Sequence, residues 1–473
     1  MAPDRTDTSP MAPPALWPDR PIRPAAAGVV AALLGGASTA VLGPLPGLTV
    51  VAGAALFAAC AYRPILATYL YLATVPIIAG IDRGVLVPLV RPNEVLFALV
   101  IAGAATGGLL RFARGDEVRW RPHRLDVPLG LFVIMSTVWP IASLLLREHS
   151  VAFSQVLAVL PVAKLAALAV LVRFTVTSQS RVLWCVRVVA WPAAMLAAIA
   201  IGQTLRVGPV LSLLATWWPT ETGGEAGLER GSSTLSSSIA TGDYIIIALT
   251  LVICCGLRGL LDHRERLLLG SVLGTGMLAA GQFSTWLAAI IAVALLAWRH
   301  PELRRRSVRF LPLGLAAVAV GAPALIGRLQ GFGEGFGVPR SWLGRWDNVM
   351  NIHLPHFDAA RVVMGVSPDS VLPAPETWRD YVYLESGYLL LLWVGGIPLL
   401  LAFGWLSVAV LRHASRLSAA PTVAGACAST LVIVWCFLLV LSVIDAHLTL
   451  RGAGELIFVL LAICSGRIHD ERR

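Results

Sequence analysis

A chain of 473 residues that is 57% hydrophobic and only 14% charged, with a mean hydropathy of +0.77, lies far outside the composition of soluble domains. That excludes a soluble enzyme and predicts an all-α integral membrane protein built from spans of about 20 apolar residues. The net charge of +10 calls for no nucleic-acid partner, because positive charge retained on the cytoplasmic side and attracted to anionic lipid headgroups accounts for it.

The proline-rich, mixed-charge stretch 1–24 is expected to be a disordered cytoplasmic tail, and it does not look like a cleaved signal peptide. From 25 to 466 the sequence reads as one transmembrane domain. About 14 spans are predicted, with 12–14 as the range, at roughly 25–43, 47–62, 65–80, 93–110, 126–146, 153–172, 182–204, 241–257, 267–281, 283–298, 310–327, 385–411, 421–443 and 453–466. Residues 467–473 form a second short tail. With both termini cytoplasmic, the inner segments carry more than twice the Arg and Lys of the outer ones, which fixes the orientation of a multi-pass plasma-membrane protein. All seven cysteines fall within or at the ends of apolar blocks, so disulfides and metal clusters are not expected.

Most connections are short, but two outer segments, about 205–240 and 328–384, are long enough to read as functional loops. In the first, Trp217 and Trp218 suit an interfacial anchor, and Arg230 stands among small hydroxyl residues. In the second, the spacing of Trp342, Trp346 and Val349 predicts a helix over about 340–353 with Arg345 off its apolar stripe. GFGEGFG at 331–337 lacks the preceding strand and the GK[ST] of a phosphate loop, and reads as a flexible linker.

The outer surface thus pools Arg230, Arg340, Arg345 and Arg379 with Asp347, Asp380 and Glu385. Guanidinium forks suit a diphosphate leaving group, and a carboxylate at a membrane boundary suits a base for an attacking hydroxyl. The plainer readings are headgroup contacts for the arginines and helix-dipole compensation for Glu385, which opens the span at 385–411. Lys164, the chain's single lysine, sits mid-span and must face the bundle; a structural pairing and a place on a lipid-phosphate path are both open. His353 and His356 lie three apart without a third ligand and read as loop polar residues, and no feature calls for a metal or organic cofactor.

The segment 383–400, YLESGYLLLLWVGGIPLL, resembles the membrane-embedded O-antigen polymerase and O-antigen ligase family. Glu385 and Ser386 stand where that family has a His-Asn-like pair, Tyr388 and Leu389 follow, and Gly396 falls at its first glycine, with Leu399 where a second is common. The stretch 344–368 looks like the family's Arg-x-x-Trp-type helix and Gly-Val-Gly-like turn, although here Trp346 directly follows Arg345 and Ser367 replaces the last glycine; 230–244 looks like its Arg-x-x-Gly-Thr segment. The turn at Gln282 resembles its outer turn, with Ser284 where arginine is common. These cover about 200 residues in the expected order.

The resemblance implies a fold similar to C-type glycosyltransferases. It also implies a polymerase that transfers a polyprenyl-diphosphate-linked oligosaccharide to a sugar hydroxyl on the outer face. Arg345 and Arg230 would be catalytic with Glu385 as base; Arg340, Arg379, Asp380, Tyr388, Gln282 and Lys164 would contact substrate. Membrane lipids are further partners, as is a chain-length regulator or another polysaccharide-assembly protein. A ligase-like transferase, a lipid-linked saccharide flippase and a structural subunit are the alternatives.

Overall fold

Runs of Leu, Ala, Val and Ile satisfy every backbone group internally when they coil, which is what an apolar surround demands. The computed structural model describes residues 44–84, 90–115, 122–218, 230–300, 340–374 and 381–468, with the single positions 319, 322 and 326. Its helices are α1 (Pro44–Tyr62), α2 (Ile65–Ile78), α3 (Pro92–Ala113), α4 (Asp126–Leu146), α5 (Phe153–Thr175), α6 (Gln179–Thr204), α7 (Gly208–Trp217), α8 (Ser238–Leu257), α9 (His263–Ala279), α10 (Phe283–Arg299), α11 (Arg340–Asp347), α12 (Ala359–Met364), α13 (Gly387–Leu417), α14 (Val423–Leu441) and α15 (Ala453–Ser465).

Seven of these, α3 to α6, α8, α13 and α14, are long and apolar enough to cross a membrane. Twelve of the expected blocks coincide with described helices; the blocks at 25–43 and 310–327 and the tail at 1–24 lie outside the described residues, apart from helical positions 319, 322 and 326. α8 and α14 are the most enclosed, and Tyr244, Trp435 and Phe437 are fully buried between neighbours. Small residues let backbones approach where no hydrophobic force operates between spans. Gly103 and Gly107 on α3 show this: a Cβ on Gly107 would stand 2.1 Å from the Ala61 carbonyl of α1.

One end of the bundle, called here the site end, gathers the start of α13, the end of α14, the start of α15, the start of α8 and the end of α2. The hydroxyl segment 230–237 is folded into this end instead of lying on the surface. Thr234 Oγ1 donates to the Pro76 carbonyl, Ser236 Oγ to Gly80 and Ser233 Oγ to Leu196, so the small polar side chains supply the bonds that a plug of irregular backbone needs. The predicted anchor Trp218 donates its indole N–H to the Ile77 carbonyl at 2.8 Å. The first long loop also contains α7, and the second contains α11, α12 and a short antiparallel ladder pairing Leu372 with Val382 and Pro373 with Tyr381.

α13 has 31 residues and breaks at Gly396, whose φ of +65° only glycine adopts readily. Pro398 deprives Val394 of its helical partner, and the carbonyls around the break look outside the helix. Val366 N–H and Ser367 N–H donate to the Trp393 carbonyl at 2.6 and 3.2 Å, and the Trp139 indole of α4 donates to the Gly395 carbonyl at 3.1 Å. The kink therefore docks the turn 365–367 of the long loop onto α13. Trp393 completes the joint, donating to the Asp369 carbonyl and packing against the rings of His353, His356 and Phe357.

α15 has 13 residues, about 20 Å of helix by its rise per residue, against about 30 Å of bilayer core. The connection 442–452 ahead of it is irregular and carries both exposed residues, such as Val443, and buried ones, such as His447 and Leu448. Irregular backbone within a bilayer is tolerated only where protein or a cavity surrounds it.

Candidate functional site

Arg345 reaches from α11 to the joint between α13 and the 442–452 connection. Its Nε lies 2.9 Å from Glu385 Oε2, Nη2 lies 3.6 Å from Asp445 Oδ2, and Nη1 donates to the Ile444 carbonyl at 3.2 Å. All three side chains are partly buried. Glu385 and Ser386 are extended backbone just ahead of α13, which leaves the carboxylate at the helix mouth. Asp445 is held in turn by the Ala446 N–H, 2.8 Å from its Oδ1. One guanidinium thus serves two carboxylates and a carbonyl, so the trio carries a net negative charge.

Deeper in the same connection, His447 Nδ1 lies 2.6 Å from Asp243 Oδ2, and both side chains are almost wholly buried, at 1% and 2% exposure. Asp243 comes from the second turn of α8, placed there by the Ser237 N-cap, whose hydroxyl accepts the Ala240 N–H. Burial lowers the affinity of His447 for its proton, but the Asp243 carboxylate outweighs burial and holds the imidazole above its usual range. His447 Nε2 and Asp243 Oδ1 are buried without a hydrogen-bond partner among the described residues.

His447 forms part of the wall of a half-open cavity of about 250 Å³ between α4, α5, α13, the 442–449 turn and residues 368–370 of the long loop. Its lining mixes apolar side chains, such as Phe132, Val162, Leu391 and Phe403, with polar ones, Ser136, Asp369, Ser370, Ser442, His447 and Thr449. Gly387, Ser442 and Ala446 of the lining flank Glu385 and Asp445 along the chain, which puts the Arg345 trio beside the cavity. The size approaches the lower range of small-ligand sites.

The other residues singled out in the sequence fall in several places. Arg230 starts the plug, whose next residue, Gly231, donates its N–H to the Ala279 carbonyl of α9 at 3.0 Å. Gln282 is buried and donates to Ser238 Oγ, tying the start of α10 to α8. Tyr388 O–H donates to the Leu439 carbonyl at 2.7 Å, joining α13 to α14. Lys164 is paired with Glu455 at 2.6 Å, and Glu455 also accepts the Gly452 N–H at the start of α15. Arg340 begins α11, while Arg379, Asp380 and the linker at 331–337 lie outside the described residues.

Asp243, Asp445, His447 and Glu455 were not picked out by sequence reasoning. The signal was present, since a carboxylate within an apolar block marks a function or a partner by default, and Asp243 and Glu455 both fall within predicted spans. Among the described residues no group of three or more His, Cys, Asp and Glu is placed to hold a metal ion. No protein-family model matches the chain, and no curated protein sequence matches it.

Proposed function

We propose that this protein transfers a glycan from a polyprenyl diphosphate to the hydroxyl of an acceptor sugar on the outer side of the plasma membrane, in the manner of the O-antigen polymerases it resembles. In this reading the bundle has about 14 spans with both termini cytoplasmic, and the site end faces outward. The observation that carries the reading is the meeting of Arg345, Glu385 and Asp445 beside a cavity lined by both apolar and polar side chains. A lipid with a charged, sugar-bearing head needs both kinds of surface. A flippase needs polar lining on both sides of the midplane, whereas the Arg345 trio and the Asp243–His447 pair both gather at the site end.

The guanidinium of Arg345 already serves three oxygens. A diphosphate oxygen would replace Glu385 or Asp445 in an exchange of one anionic partner for another, so the fork loses no charge-assisted bond. Arg230, Arg340 and Arg379 would add positive charge around the same headgroup. The resemblance gives the role of base to Glu385, which binding of the diphosphate would release from Arg345.

The test is reconstitution of the purified chain alone in liposomes with a polyprenyl-diphosphate-linked oligosaccharide. Growth of the glycan with release of polyprenyl diphosphate is expected. Movement of the lipid across the bilayer without a new glycosidic bond would support the flippase instead.

A further inference from the structure

The Asp243–His447 pair is expensive to bury and does not close on itself. Two ionisable side chains sit almost fully inside the bundle, and each keeps one atom, Asp243 Oδ1 and His447 Nε2, without a partner among the described residues. Buried polar groups are paired in the great majority of cases, and an exception calls for an explanation. Here the histidine is also part of the wall of the cavity beside Arg345. In the neutral ring, a proton on Nδ1 is the one Asp243 Oδ2 can accept, and the lone pair then lies on the buried Nε2. Glu385, by contrast, has an oxygen engaged by Arg345 at 2.9 Å.

We infer that His447, oriented by Asp243, accepts the proton of the attacking sugar hydroxyl, and that the cavity between Asp369, Ser370, Ser442 and Thr449 receives the acceptor sugar. This rests on the glycan-transfer reading above and moves the base from Glu385 to a residue 62 positions further along the chain. The hydroxyl oxygen forms its bond to the anomeric carbon as the bond from that carbon to the diphosphate oxygen breaks. The bonding pair leaves on polyprenyl diphosphate, and the hydroxyl proton passes to Nε2. The resulting imidazolium is stabilised by the Asp243 carboxylate and later gives its proton to water. Asp243 is a positioning residue in this scheme, and Glu385 holds Arg345.

The charged groups around His447 are Asp243 from α8, Asp445 from its own connection, Arg345 from α11 and, across the cavity, Asp369 from the long loop. The Lys164–Glu455 pair at the neighbouring α5–α15 contact is neutralised internally. Carboxylates outnumber Arg345 in this set. The base is therefore active above an inflection that lies higher than the ordinary histidine value of about 6.5, and transfer falls as pH drops through it.

The experiment uses the full chain in liposomes with a polyprenyl-diphosphate-linked oligosaccharide, following polymer formation from pH 5.5 to 9. Wild type is expected to show that raised acidic limb. His447→Gln should slow transfer by about 100-fold or more, the range of a lost general base, with donor binding retained. Asp243→Asn should displace the limb toward lower pH, a change that a purely structural role would not produce. Wild type active with no inflection above pH 6.5, or a His447→Gln protein that inserts and transfers at the wild-type rate, overturns the assignment while leaving glycan transfer intact. The wild-type profile decides even where a variant fails to fold. Absence of transfer by wild type overturns both readings.

Discussion

The two ends of the bundle treat buried charge in opposite ways. At the end away from the site, arginines are saturated. Arg258 donates to the carbonyls of Cys254, Ser418 and Ala420 and to Ser429 Oγ, Arg187 grips both oxygens of Glu265 at 3.2 Å, and Arg173 pairs with Asp126. Arg258 and Arg173 stand at helix C-termini, where cations meet the negative end of the helix dipole, and Arg187 ties the body of α6 to the first turn of α9. At the site end, Asp243 Oδ1, His447 Nε2, Asn93 Oδ1, Tyr244 O–H and Thr285 Oγ1 are buried without partners among the described residues. Arg299 Nη1 is an exception at the far end. The far-end guanidinium groups are engaged at helix ends, whereas the Asp243–His447 pair keeps one polar atom of each member unpartnered among the described residues.

The sharpest test of that contrast exchanges one arginine from each end. Arg345→Ala should reduce glycan transfer by about 100-fold or more, as loss of a preorganised electrostatic donor does, well beyond the stability it costs by leaving Glu385 and Asp445 without their shared cation. Arg258→Ala should act on stability alone: it removes four donated hydrogen bonds and lowers stability by about 2–3 kcal/mol, with transfer per folded molecule preserved. Thermal unfolding in detergent and transfer in liposomes, measured on the same preparations, separate the two outcomes. If both variants lose stability alone, the ends do not differ in kind.

Lys164 lies between these extremes, because it is paired with Glu455 at the start of α15, next to the 442–452 connection. Lys164→Met should destabilise the protein by about 3–5 kcal/mol by leaving Glu455 buried and uncompensated, and Glu455→Gln added to it should restore most of the loss. Denaturation midpoints of the single and double variants measure this. A Lys164→Met protein of normal stability that fails in transfer would instead put the lysine on the substrate path.

The helices were legible because an apolar block of sufficient length has few alternatives, and α3 to α6, α13 and α14 lie where the hydropathy puts them. Glu385 and Arg345 were also singled out, but their 2.9 Å contact links residues 40 apart and no local pattern encodes it. The missed residues share one cause. Asp243, Asp445, His447 and Glu455 lie in or beside short, strongly apolar segments, where attention to loops passed over them. α15 reads as an ordinary span, yet its helix has only 13 residues, and the irregular connection before it places His447 in the protein interior. The hydroxyl run 232–238 looked like loop sequence because its carbonyl partners, on α2 and α6, are distant along the chain.

The kink in α13 connects the site to the saturated scaffold, and Gly396→Ala probes it. A Cβ there would stand 2.2 Å from the Val363 carbonyl at a φ of +65°, so the turn 365–367 must lift from Trp393. Strain of about 1–3 kcal/mol is expected from the backbone alone. Since Asp369 and Ser370 line the cavity from that loop, transfer should fall together with stability, and faster proteolysis within 359–374 should report the release.

The smallest effect is expected at Trp139, on the face of α4 that meets the same break. Its indole N–H is the donor to the Gly395 carbonyl at 3.1 Å, while the neighbouring Trp393 carbonyl keeps its two bonds from Val366 and Ser367. Trp139→Phe preserves the ring contact and removes one hydrogen bond, a loss of about 1 kcal/mol. The loop anchor is untouched, so glycan transfer should stay within about twofold of wild type, less than the tenfold that 1.36 kcal/mol of barrier would represent. A large loss of transfer from Trp139→Phe would mean that the angle of α13, and not the loop docked on it, sets the geometry of the site.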